Sequence, residues 1–152
     1  MKYDSTADTL LHIKRVNELL IILATSLLQR AVKHDASKLR KFEKEAFDEF
    51  TPKLKGSTYG SEEYKENLKG LGKALEHHYA HNSHHPEKHA HGIAGMTLLD
   101  LAEMLVDWKA ATERHADGDL KKSLEINKER FGIDSQLSAI LHNTARDLGF
   151  IN

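Results

Sequence analysis

The scarcity of helix breakers constrains this chain more than any other feature of its sequence. Only two prolines, Pro52 and Pro86, occur in 152 residues, and no stretch keeps the alternating polar and apolar pattern of a strand. The commonest residues include Leu, Ala, Glu and Lys, which favour helices. The sequence therefore predicts an all-α protein of about six helices, and its length fits a single domain over residues 1–152.

The first predicted helix begins at Ser5 or Thr6 and ends at about Lys33, because apolar residues recur along it at helical spacing. We interpret its apolar face as core. A helix of this length could also form the seam of a homodimer. The recurring apolar positions are Leu11, Val16, Leu19, Leu20, Leu23, Leu27, Leu28 and Ala31.

Capping residues indicate where the later helices begin. The second helix is predicted from Ser37, a good N-cap, to about Phe50, with a loop over residues 53–60. Gly70 and Gly72 are expected to weaken the third helix and to mark either a close approach or a kink. The third helix is expected to begin near Ser61. The fourth is expected to run from near Thr97 to residues 116–118, and the fifth and sixth to begin near Asp119 and Asp134.

Composition excludes several classes of function. Lys and Arg number 22 and Asp and Glu 23, a balance that argues against bulk electrostatic binding to nucleic acid or to a membrane surface. The absence of cysteine excludes disulfides, iron–sulfur clusters and thiol nucleophiles. The most apolar run, over residues 19–28, is too short to span a bilayer, and the first residues do not resemble a signal peptide. We expect a cytoplasmic protein.

Histidines are concentrated in one short window. Seven of the eleven histidines lie between His77 and His91, and another, His34, is followed at once by Asp35. Imidazole and carboxylate are ligands that borderline divalent metals prefer. The window therefore predicts a metal centre, and an enzyme is the first interpretation of such a centre.

The order of these residues resembles that of the HD-domain superfamily of metal-dependent phosphohydrolases. Members of that superfamily order their ligands His, His-Asp and Asp, with two additional histidines when the site holds two ions. The resemblance implies an HD-like helical bundle that binds one or two divalent ions from among Mn, Ni, Co, Mg, Zn and Fe. The ligands it implies are His12, His34, Asp35, His78, His84 and Asp107, with His77 and His85 as substitutes for their neighbours.

Two shorter motifs carry further resemblances. The run from His34 to Lys38 is similar to the His-Asp-x-Gly-Lys signature of dinuclear members, in which the lysine contacts the anionic group of the substrate; here Ser37 replaces the glycine. The pattern also resembles an uncharacterised family found in phages and bacteria. That family shares His-Asp-x-Ser-Lys, Asn-x-His-His and Glu-x-x-x-Asp-Trp motifs, which this chain matches over roughly residues 12–143.

The position of His12 raises a geometric problem. His12 and His34 lie 22 residues apart with no glycine or proline between them. An unbroken helix would separate them by roughly 33 Å. Either the chain turns near Asn17 or near residues 25–26, as the HD fold requires, or His12 is not a ligand.

The resemblance implies hydrolysis of a nucleotide or another small phosphoester, cyclic dinucleotides included. Metal ions would lower the pKa of a bound water and neutralise charge on the phosphoryl group. Glu103 lies four residues before Asp107 and so shares its helix face; it could be a ligand, a carboxylate that orients an imidazole, or a general base. Catalytic roles are expected for Asp35, Lys38 and Glu103, and substrate contacts for Lys38, Arg15, Arg30, Asn82 and Trp108, with Tyr79 as a second residue that could stack on a base.

Two other functions stay open at this point. Some HD-fold proteins hold two irons in the same ligand pattern and act as oxygenases. The second alternative is a helical scaffold or metal-buffering protein, without catalysis, whose histidines bind ions loosely. The mixed charges between Lys38 and Lys44 are interpreted as a solvated helix face rather than as a nucleic-acid patch.

Overall fold

The structure is a computed structural model that describes residues 3–58, 60–114 and 118–152. It divides into two compact units, Met1–His34 and Asp35–Asn152. The single domain over residues 1–152 stays a prediction. Every regular element among the described residues is a helix, so the all-α prediction is confirmed. In this part of the chain no helix combines the length and the apolar character needed to cross a membrane.

The first unit contains one long helix, α1, which runs from Thr6 to Lys33 as predicted. The helix has no break, so the turn that would bring His12 and His34 to one ion is absent. At ~1.5 Å per residue the two histidines lie roughly 33 Å apart along the helix. His12 and His34 of one chain therefore cannot share a metal, and we leave His12 out of the candidate centre.

The second unit begins with a 3₁₀ turn over Ala36–Leu39, followed by α2 (Lys41–Gly56). The prediction that Ser37 caps a helix ending near Phe50 was wrong at both ends. Ser37 lies inside the 3₁₀ turn, where its hydroxyl donates to Glu43. The helix then continues through Pro52, so the expected loop begins only after Gly56.

Two short helices, α3 (Glu62–Gly70) and α4 (Gly72–His81), replace the single third helix that was expected. The predicted kink is confirmed, because the chain turns at Gly72 with a φ of +47°, which favours glycine. Gly70 is needed for a different reason: a Cβ there would lie 2.1 Å from Cε1 of Phe50. The two glycines thus let α3 pack closely on α2 and redirect α4.

The later helices begin where their caps predict. They are α5 (Leu98–Thr112), α6 (Leu120–Phe131) and α7 (Ser135–Asp147), and two 3₁₀ turns, Pro86–Lys88 and Gly92–Gly95, precede them. The side chains of the three caps all accept backbone hydrogen bonds, and α5 has a complete capping box. The predicted end of the fourth helix falls partly on Ala116 and Asp117, outside the described residues, and α5 itself ends at Thr112. The caps are Thr97, Asp119 and Asp134.

The apolar core of the second unit lies among α5, α6 and α7. Its buried members come from all three helices and from the connection before α7. This core fixes α5, which carries Glu103 and Asp107 on its face. The buried core residues are Met104, Leu105, Leu120, Leu124, Ile133, Leu141 and Ala145.

Candidate metal centre

Asp35 occupies an unusual backbone position at the start of the second unit. Its φ is +53°, which makes it the one residue other than glycine with a positive φ in the described part of the chain. Aspartate tolerates this left-handed conformation better than most residues. Its Oδ1 lies 3.2 Å from Nε2 of His78 and 3.5 Å from Nε2 of His84, while its Oδ2 lies 2.5 Å from Nζ of Lys38. Asp35 therefore faces two imidazoles and one ammonium group.

Four residues of the second unit form the candidate centre: Asp35, His78, His84 and His85. Each offers a ligand atom, and these four atoms all lie within 4.8 Å of one another. Nε2 of His85 is 3.0 Å from Nε2 of His78. Ligand atoms placed about 2.0–2.2 Å from one tetrahedral ion lie about 3.3–3.6 Å apart. The separations of 3.0, 3.2 and 3.5 Å lie within this range or up to 0.3 Å below it, so a small outward movement of the side chains would fit a single divalent ion held by three imidazoles and a carboxylate.

The two buried histidines of the centre are each held by a second carboxylate. His78 and His84 expose only 1% and 2% of their surface. Nδ1 of His78 donates to Oε2 of the fully buried Glu43 at 3.1 Å, and Nδ1 of His84 lies 3.2 Å from Oε1 of Glu103. A proton on Nδ1 leaves the Nε2 lone pair for a metal. Both rings therefore have a glutamate on one nitrogen and Asp35 on the other.

Ser37 and Asn82 connect the centre to its surroundings. The hydroxyl of Ser37 donates to Oε2 of Glu43 at 2.9 Å and accepts from Nδ2 of Asn82 at 2.9 Å. The same amide donates to the backbone carbonyl of His78 at 2.7 Å. These contacts give the serine of the His-Asp-Ala-Ser-Lys run a structural role that a glycine could not perform. They also occupy the amide of Asn82 within the protein.

Burial and neighbouring charges shift two pKa values at the centre. Burial of Glu43 raises its pKa, but hydrogen bonds from His77 and Ser37 and the charge of His78 outweigh this and leave the pKa below its usual value. The pKa of His85 is lowered to about 3, and burial is the largest cause. The charges of His84 and His78 also lower this pKa, whereas the charges of Asp107 and Asp35 raise it. His85 is therefore neutral near pH 7, the state in which an imidazole binds metal.

The pKa of His85 predicts how the metal-free protein responds to acid. In the unfolded chain His85 binds a proton near pH 6.5, whereas in the folded protein it does so only near pH 3. The unfolded state thus binds more protons in this interval, so stability should fall as the pH falls through it, by up to about 1.4 kcal/mol per pH unit. Urea unfolding between pH 4 and 8 measures the slope. His85→Gln should flatten it and the exposed His91→Gln should not; equal slopes would contradict the assignment.

The structure brings together most of the residues predicted for the site and separates a few. Lys38 and Glu103 each contact a member of the centre, and the Asp107 carboxylate lies within 4.8 Å of a ring nitrogen of His84. Of the three roles considered for Glu103, the contact with His84 supports the one that orients an imidazole. His34, Arg15 and Arg30 belong to the first unit, and their roles stay predictions.

Two predicted site residues are accounted for by other contacts. His77, a substitute ligand, is held by Oε1 of Glu43 at 2.6 Å and stacks on His81, while the other substitute, His85, joins the centre. The Trp108 ring lies parallel to that of Phe131, 6.2 Å away, and packs on the apolar core. Packing therefore explains Trp108 without a substrate.

Glu43 is the functional residue that the sequence prediction missed. It lies inside the segment interpreted as a solvated, mixed-charge face, yet none of its surface is exposed. A signal was present: Glu43 shares one helix face with Ala46, Phe47 and Phe50, at spacings of three, four and seven residues. A carboxylate within an apolar stripe needs a buried partner.

Comparison with known proteins gives one match. Residues 1–148 match the model of DUF5662, a family of unknown function. The chain belongs to this family. It matches no curated protein and no solved structure. The DUF5662 match spans all four members of the candidate centre together with Glu43 and Glu103.

Proposed function

We propose that this DUF5662 protein is a divalent-metal-dependent phosphohydrolase that acts on a nucleotide or another small phosphoester, cyclic dinucleotides included. The observation that carries the proposal is the grouping of Asp35, His78, His84 and His85 beside the ammonium group of Lys38. Three imidazoles and one carboxylate suit Mn, Co, Ni, Zn or Fe. A cation next to such a centre suits an anionic substrate.

The bound ion, Lys38 and the two glutamates would each have a separate role in this reaction. A bound ion supplies a Lewis acid that activates water near neutral pH and offsets charge on a phosphoryl group. Lys38 is held by Asp35 and lies over the ring of Phe47, 5.1 Å from its centroid, so its ammonium group is fixed at the edge of the centre. From there Lys38 would bind a non-bridging phosphoryl oxygen. Glu43 and Glu103 keep the imidazoles in the orientation that binding requires.

An open cavity that is lined by Tyr79, but by none of the four members of the centre, would hold the rest of a substrate. Its volume is about 440 Å³, within the size range of small-molecule sites. Tyr79 lines the cavity, and its ring centroid lies 4.7 Å from that of His85. The exposed face of such a ring could stack on a nucleobase. The other lining residues are Glu76, Ala80, Glu87 and Lys88.

Phosphate release from a panel of nucleotides, cyclic dinucleotides and simple phosphoesters tests the proposal. The protein should be loaded with each metal in turn. We expect metal-dependent turnover that Lys38→Gln lowers by about 100- to 1000-fold, the usual effect of removing a group that stabilises developing negative charge. The Lys38→Gln variant should bind as much metal as the wild type. Lys41 is an exposed lysine at the start of α2, so the control variant Lys41→Gln should keep full activity. A fully metal-loaded protein that releases no phosphate from any of these substrates would contradict the proposal.

Two rival functions predict different results from the same protein. Imidazole and carboxylate ligands also suit iron, so an HD-type diiron oxygenase would contain iron and consume oxygen. A non-enzymatic metal-binding or scaffold protein would bind metal in variable amounts. In that case the Asp35→Asn variant would bind metal as well as the wild type does.

A further inference from the structure

Two histidines of α4, His77 and His81, lie beside the candidate centre but are not members of it. They are four residues apart, so both side chains lie on one face of the helix. Their rings stack, with centroids 3.9 Å apart and planes inclined by 22°. The side chain of His77 is 32% exposed and His81 is also exposed, so solutes can reach both rings. Two histidines at this spacing on one helix face can bind one zinc ion.

Hydrogen bonds determine which nitrogen of each ring is available to a metal. Nδ1 of His77 lies 2.6 Å from Oε1 of Glu43, and Nδ1 of His81 lies 2.8 Å from the backbone carbonyl oxygen of His77. An ionised carboxylate and a carbonyl oxygen only accept hydrogen bonds, so each Nδ1 donates. A neutral ring with its proton on Nδ1 has its lone pair on Nε2, the atom that binds metal. Among the described residues, neither Nε2 has a hydrogen-bond partner.

The buried carboxylate of Glu43 supports His77 in the same way as it supports a member of the centre. Its Oε2 accepts from Nδ1 of His78, and its Oε1 accepts from Nδ1 of His77. Histidines that bind metal usually have such a carboxylate on the other ring nitrogen, because it fixes the tautomer and makes the ligating nitrogen more basic. The ring of His77 also contacts that of Phe42, with centroids 5.0 Å apart. His77 is therefore oriented as a metal ligand, but it is accessible from the surface, whereas His78 is buried.

We propose that His77 and His81 form a second metal site, the outer site, which binds a borderline divalent ion such as Zn²⁺ through the two Nε2 atoms, with water completing the coordination. The outer site has two protein ligands where the centre has four, so it binds more weakly. Exhaustive dialysis should therefore empty the outer site and leave the centre filled. The proposal depends neither on phosphohydrolase activity nor on an ion in the centre.

Equilibrium dialysis of the untagged full chain against a series of Zn²⁺ concentrations tests the proposal. The wild type should bind a second, weaker equivalent once the centre is filled. His81→Gln should weaken this second equivalent at least about tenfold, because the remaining imidazole loses the high effective concentration of its neighbour. His91→Gln removes another exposed histidine and should change neither equivalent. Long-range ¹H–¹⁵N spectra should show that the second equivalent shifts the ring nitrogens of His77 and His81.

The Asp35→Asn variant separates the outer site from the centre. It should weaken the tight equivalent and keep the shifts that Zn²⁺ causes at His77 and His81, so the outer site can be supported even if the centre proves empty or inactive. A second equivalent that Asp35→Asn removes would belong to the centre and would overturn the proposal. It would also be overturned by a second equivalent that His81→Gln leaves unchanged, by one that His91→Gln weakens equally, or by a wild type that binds no second equivalent.

Discussion

Replacing Glu43 with alanine is expected to lower the free energy of unfolding of the metal-free protein by about 3–5 kcal/mol. The substitution removes a fully buried carboxylate that accepts hydrogen bonds from His77, His78 and Ser37. These buried donors would lose their acceptor, and a cavity would remain in their place. Urea unfolding of the two proteins at pH 7 measures the difference.

The pKa of Glu43 predicts that this difference depends on pH. Because the folded pKa is below the unfolded value of about 4.5, the ionised carboxylate stabilises the protein above that pH. The contribution is lost as the pH falls through the folded pKa, so the gap between wild type and Glu43→Ala should narrow in acid.

Two control variants separate the buried network from a general effect on α2. Glu43→Gln keeps an acceptor oxygen and nearly the same volume, so it should cost clearly less than Glu43→Ala. Glu45→Ala changes an exposed residue in the same helix and should stay within about 0.5 kcal/mol of wild type. If Glu43→Ala were no more harmful than Glu45→Ala, the carboxylate would not be the buried anchor that the structure describes.

Replacing Asp35 with asparagine is expected to weaken divalent-metal binding by more than about 100-fold. Loss of a group that merely orients a ligand already costs about 10- to 100-fold. Asp35 supplies the one carboxylate of the centre, and its Oδ1 lies close to both buried imidazoles. Asparagine has the same shape and also tolerates a positive φ, so the backbone at residue 35 should be preserved. Competition with a chromophoric chelator measures the dissociation constant.

The matched control for this change is Asp48→Asn, an exposed aspartate in α2 that pairs with Lys44 at 2.5 Å. It should bind metal as wild type does. Circular dichroism should show the same helix content for all three proteins. Equal metal affinity in Asp35→Asn and wild type would remove Asp35 from the centre and, with it, the role proposed for Lys38.

Local signals in the sequence predicted much of the fold. The continuous apolar pattern gave α1 its bounds, and the side chains of Thr97, Asp119 and Asp134 indicated where three later helices begin. These features depend on residues only a few positions apart, so they can be predicted from the sequence alone. The kink at Gly72 was predictable for the same reason.

The sequence could not settle contacts between distant segments. Ser37 looks like a helix cap, yet its hydroxyl bonds Glu43 and, 45 residues away, Asn82. His77 and His85 looked equally suitable as ligands, and only the placement of Glu43 on α2 separates them. The sequence also left the role of His12 open, and the continuous course of α1 is what separates it from His34.

The central claim is that Asp35, His78, His84 and His85 hold a divalent ion. Elemental analysis of protein purified without a histidine tag, after exhaustive dialysis, tests it most directly, with a His78→Ala/His84→Ala double variant purified in parallel. We predict one equivalent of a single metal per chain in the wild type and almost none in the variant. Substoichiometric metal in the wild type, or equal metal in both proteins, would contradict the claim.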